Sequence, residues 1–75
     1  MKYYRIYAKQ SNQNRFKAVD WAEGRQVDNL IRATIIDEAH LQKAIDAIDA
    51  SVKLNHSIVF QIREVDSQKV IHVAK

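Results

Sequence analysis

The sequence has 75 residues, with no cysteine, no proline and a single glycine. The absence of cysteine excludes disulfides, a thiolate nucleophile and zinc ribbons, and it fits the cytosol. Without proline, no candidate strand is demoted to a sheet edge and no stiff linker divides the chain. With one glycine, Gly24, there is no glycine-rich loop to cradle a phosphate. Long apolar runs are missing too. None approaches the roughly 20 residues of a membrane span, and Met1 to Lys9 alternates where a signal peptide would carry an apolar block. The expectation is one soluble domain over residues 1–75, large enough for one modest core.

The charge balance is mildly basic, at +3 with a pI near 9.4, too small by itself to imply nucleic acid. Its distribution says more. Residues 1–32 carry seven Lys or Arg against three acids, whereas residues 33–56 carry two against four.

That acidic region reads as the one long helix, Ile36 to Asn55. Leu41, Ala44, Ile45, Ile48 and Val52 recur at three-and-four spacing and line one face, with Gln42, Lys43, Asp46, Asp49 and Lys53 on the other. Asp37 is a preferred N-cap, Ile36 can staple over Leu41, and Asp49 stands four residues before Lys53 in the favourable order. Asn55 is the nearby residue best able to take a left-handed stop. A helix of this length is marginal alone, so its apolar stripe requires a sheet.

The flanking segments supply one. Residues 2–8 alternate, as do Arg15 to Val19, and the Asn-rich stretch between them predicts a hairpin. Gly24, after Trp21, predicts a tight turn with positive φ. An Asx-type bend at Asp28 and Asn29 leads into a third strand ending at Ile36. Ser57 to Val65 alternates again, and residues 66–69 turn the chain into Val70 to Val73. The order is β-β-β-α-β-β: an α+β fold of two layers, a mostly antiparallel sheet with one amphipathic helix packed on one face. The helix-facing positions are then Tyr4, Ile6 and Ala8, Phe16 and Ala18, Ile31, Ala33 and Ile35, and Ile58, Phe60 and Ile62.

The segments KYYRIYAK, FKAVD, Gly24, QVDNLI and ATII, running into an acidic helix start, resemble a group of small uncharacterised proteins from phages and conjugative elements of Gram-positive bacteria. The resemblance covers residues 2–65 and leaves out the tail from Asp66. It implies a mobile-element origin, and it assigns no catalytic or binding residue.

No constellation points to catalysis. His40, His56 and His72 have no spacing that places two on one helical turn, so no metal is expected. Asp46 and Asp49 fall on the solvated side of the helix, Ser57 beside His56 lacks a nucleophile elbow, and no cofactor motif is present. The expectation is not an enzyme.

The outward sheet face is the strongest binding candidate. It collects Tyr3, Arg5, Tyr7, Arg15, Lys17, Arg32, Gln61 and Arg63, with no carboxylate among them. Tyrosines and long basic stems also suit the solvent side of any half-buried sheet. Trp21, in its turn, is read either as an interface anchor or as a lid on one end of the core. Two functions follow. In the first, a small phage or mobile-element protein binds a host protein through this face and Trp21, in keeping with inhibition of a host defence or nucleic-acid-processing complex. In the second, the basic, tyrosine-bearing face binds nucleic acid directly. Monomer and homodimer both remain open.

Overall fold

Alternation at the N-terminus produces the strand on which the sheet is centred, β1 (Tyr3–Gln10). The computed structural model describes residues 2–75, and Met1 lies outside them. Along β1, Tyr4, Ile6 and Ala8 are buried beneath the helix, together with Phe60 and Ile62 of β5 (Ile58–Glu64). β1 and β5 pair antiparallel over seven positions, with Ile6 opposite Ile62.

The remaining strands are β2 (Lys17–Asp20), β3 (Arg25–Gln26), β4 (Ile35–Asp37) and β6 (Val70–Ala74). The sheet runs β3-β2-β1-β5-β6, and every pairing is antiparallel. β4 pairs with the N-terminal half of β1, and β2 with its C-terminal half. β1 therefore shares one edge between two short strands and gives the other wholly to β5. This α+β architecture is the one expected from the sequence.

The helix α1 (Leu41–Leu54) follows a 3₁₀ turn, Glu38–His40. Ile48 and Val52 are buried in the core, and Leu41, Ala44 and Ile45 pack against it, so the predicted stripe is the observed one. Asp37 caps the 3₁₀ turn, its side chain accepting from the His40 backbone N–H at 3.0 Å, and the α-helix begins later than the expected Ile36 because Ile36 and Asp37 are drawn into β4 by pairing with β1. The exit differs from expectation. Asn55 has φ −143°, extended and not left-handed. Its side chain instead accepts from the Ser57 backbone N–H (3.1 Å) and hydroxyl (2.6 Å), turning the chain towards β5. Asp49 also finds a different partner, lying 2.9 Å from His72 Nε2 on β6. A long-range contact thus occupies the carboxylate that could have paired with Lys53.

Gly24 takes the positive φ predicted for it, +67°, at the end of the turn from β2 into β3. The segment after β3 departs most from expectation. Asn29 forms the Asx-type bend, accepting from the Ile31 backbone N–H at 3.0 Å, and this starts a 3₁₀ turn at Leu30–Arg32 where a strand was expected. Ile31 is 90% exposed there, not buried under the helix. Only Ile35–Asp37 forms the strand.

The faces of the first hairpin are also exchanged. Ala18 stands opposite Tyr7, and Lys17 opposite Ala8. Paired residues share a face, so Ala18 points away from the helix and Val19 towards it. Phe16, Val27 and Ala33 join Tyr7 and Ala18 in a second small core on the outer side. Ile35, opposite Arg5, likewise faces outwards. Among the described residues, no helix is long and apolar enough to cross a membrane.

Candidate interaction surface

The outer face divides into a covered half and an open half. Over Tyr7, the side chains of Phe16, Val27 and Ala33 close the surface, leaving Tyr7 only 6% exposed. Towards the start of β1 the face is open. Tyr3 and Arg5 of β1, Ile35 of β4, Arg63 of β5 and Val73 of β6 share it, as their registers require. Tyr3, Ile35 and Val73 are exposed apolar or aromatic groups.

Arg63 stands at the boundary. Its guanidinium lies over the Tyr7 ring, 4.2 Å from the centroid, and 5.7 Å from that of Phe16. Two of its nitrogens, Nε and Nη2, donate to Gln61 Oε1 at 3.1 and 3.0 Å. Stacking and hydrogen bonding together hold the fork in one orientation. Directly across the strand pair is Arg5, whose Nε is buried and has no hydrogen-bond partner. Among the described residues, neither guanidinium lies within ion-pair distance of a carboxylate. Asp37, in register with Tyr3, is engaged at the helix cap by His40.

The other predicted site residues are dispersed. Arg15 is exposed in the loop before β2, and Arg32 is exposed in the 3₁₀ turn. Lys17 does not belong to the outer face: it is in register with Ala8, on the helix side, and its ammonium pairs with Asp28 at 3.2 Å. Tyr7 belongs to the face by register, yet Arg63 and Phe16 cover it, so its ring is closed to a stacking ligand.

Trp21 also lies on the helix side. It packs on the main core and meets Phe60 edge-on, the placement of a lid, while its ring stays partly exposed. Two concavities flank it along α1. One, of about 440 Å³, is bordered by Ile36, His40 and Ala44, and the other, of about 720 Å³, by Gln26, Ser51 and Asn55. The Trp21 backbone N–H donates to Thr34 Oγ1 at 2.9 Å, fixing the turn to the approach of β4.

Two members of the open half, Ile35 and Val73, were not among the sequence candidates. Their signal was strand parity relative to Arg5 and Gln61, which depends on registers that the sequence does not display. Among the described residues, no three His, Cys, Asp or Glu side chains cluster as metal ligands would. His40 is taken up at the cap and His72 by Asp49.

No family model matches this chain, and neither a curated protein nor a solved structure shows significant similarity to it.

Proposed function

We propose that this chain is a small non-enzymatic interaction protein that binds a host protein through the open half of its outer sheet face. The observation that carries the reading is the cross-strand pair Arg5 and Arg63, directly opposite in register, with no carboxylate among the described residues within ion-pair distance of either. Like charges directly opposite one another cost stability, which the stacking of Arg63 on Tyr7 and its bonds to Gln61 offset on one side of the pair without neutralising either charge. Around them stand exposed Tyr3, Ile35 and Val73. Arginine and aromatic groups within an apolar surround are the composition of an interface centre.

The phage or conjugative-element origin rests on the sequence resemblance. In that setting the bound protein belongs to the bacterial host, and blocking a defence or nucleic-acid-processing complex is the role that suits a compact binder. The test is a pull-down of host proteins by the wild-type chain and by Ile35→Asp and Val73→Asp, with partners identified by mass spectrometry. Both substitutions lie on exposed positions, so the fold persists while capture is lost. Undiminished capture by both variants defeats the reading.

A further inference from the structure

We infer that the open half of the outer face recognises an acidic segment of its partner protein, whose carboxylates are received by Arg5 and Arg63 while adjoining apolar side chains settle on Tyr3, Ile35 and Val73. This deepens the proposed binding role of that face and rests on it.

The first argument is electrostatic. Arg5 and Arg63 are direct cross-strand partners, and no described carboxylate is within ion-pair distance of either. Arg5 also has a buried Nε without an acceptor. A buried donor left unmade is costly, and so is the juxtaposition of two cations. A carboxylate brought to the pair relieves the repulsion and supplies acceptors, so the face is complementary to acid in a way no internal contact satisfies.

The second argument is preorganisation. Arg63 is clamped from below by Tyr7 and Phe16 and from the side by Gln61. A guanidinium already fixed in its plane loses little rotamer freedom when a carboxylate arrives, and its remaining N–H groups present the geometry that carboxylates accept.

The third argument separates protein from nucleic acid. A nucleic-acid strand is tracked by a row of cations with open aromatic rings on which bases stack. Here Tyr7 is shut beneath Arg63, Lys17 is on the other side of the sheet with Asp28, and beside the exposed Tyr3 the neighbours of the arginine pair are aliphatic Ile35 and Val73. Lys9 adds a cation over Phe16 on the covered half, while in the open half the arginine pair with exposed apolar Ile35 and Val73 fits acidic side chains on a peptide carrying hydrophobic residues.

The experiment is fluorescence anisotropy at low ionic strength. The probes are a labelled peptide in which paired glutamates are flanked by leucines, the same peptide with glutamine for glutamate, and an oligothymidylate. The acidic peptide binds and the glutamine peptide does not. Arg5→Gln and Arg63→Gln each weaken the acidic peptide about tenfold or more, as loss of a charge-assisted hydrogen bond requires. Arg63→Lys, which keeps the charge and loses the planar fork, falls between. Circular dichroism melts establish that each variant is folded, and if Arg63→Gln unfolds, Arg5→Gln decides. Equal binding by folded Arg5→Gln, tighter binding of the oligothymidylate than of the peptide, or binding of neither overturns the inference. A host partner lost with Ile35→Asp but retained by Arg5→Gln would leave the interaction face standing and dismiss acid recognition alone.

Discussion

The indole of Trp21 meets the ring of Phe60 edge-on, with centroids 5.9 Å apart and planes at 70°. The turn after β2 is thereby tied to β5 across β1, and the end of the core left bare by the helix is closed. Edge-to-face pairs add to the area that each ring buries. Trp21→Ala is expected to cost about 2 kcal/mol, less than a fully enclosed tryptophan because the ring is only partly buried. Urea denaturation measures it. Trp21→Phe, which keeps an aromatic edge, should recover a large part of the loss. A Trp21→Ala variant as stable as wild type would mean that the lid contributes nothing to the core.

Ile6, Ile48 and Ile62 meet where β1, α1 and β5 converge, and they are the largest fully buried side chains. Ile48→Ala and Ile62→Ala are each expected to cost about 2–4 kcal/mol, through lost burial plus the cavity left behind. In a domain of this size that is a large part of the total stability. Ile31→Ala, on an exposed 3₁₀ turn, is expected to change stability by less than about 0.5 kcal/mol. Thermal melts of the three variants separate the buried positions from the exposed one.

Gly24 has φ +67°, and a β-carbon added there would meet nothing within 4 Å. Any cost of substitution therefore comes from backbone conformation and not from crowding. Gly24→Ala is expected to lose about 1–2 kcal/mol, the penalty of a left-handed L-residue. Gly24→Asn should lose less, since asparagine enters that region more readily. Equal melting temperatures for Gly24→Ala and wild type would contradict this.

Asp37 supplies the pH dependence. The hydrogen bond to the His40 side chain, aided by the His40 backbone N–H, holds its carboxyl below its ordinary value. A group whose pKa falls on folding stabilises the fold above its unfolded pKa, and that contribution disappears as pH drops through the folded one. The contribution is thus complete at neutral pH and is lost on acidification through and below the usual aspartate range. Asp37→Asn retains a capping oxygen without the titration. The difference in melting temperature between wild type and Asp37→Asn should shrink across that acidic window, and a constant difference would count against the cap as its source.

Where one face of an element is apolar and the other polar, the sequence was enough. The stripe of α1 and the alternation of β1 and β5 could be read directly, because each meets core on one side and more open surroundings on the other. Around β2 both faces are apolar, since Val27 and Ala33 cover the outer side as the core covers the inner. Phe16 and Ala18 then look as suitable for the helix side as Val19 does, and only pairing with Tyr7 and Ala8 decides. In the run from Leu30 to Ile36 the odd positions Ile31, Ala33 and Ile35 are apolar while Arg32 and Thr34 are polar, so alternation points to a strand, yet a single hydrogen bond to Asn29 turns its start into a 3₁₀ turn. Arg5 and Arg63 were recognisable as outward residues. Their juxtaposition, and the closing of Tyr7 beneath Arg63, arise from the register of two strands distant in sequence.

The long seam between Tyr3–Gln10 and Ile58–Glu64 also bears on how the molecule comes into being. A chain cut before Ile58 holds the residues of its first strand and its helix, but it lacks Phe60 and Ile62 to lie beneath that helix and a partner for the far edge of that strand. Non-local pairing of this kind is entropically late. The core beneath the helix is therefore closed only when Ile58–Glu64 docks, and until then the apolar stripe of the helix stays open to solvent and proteases.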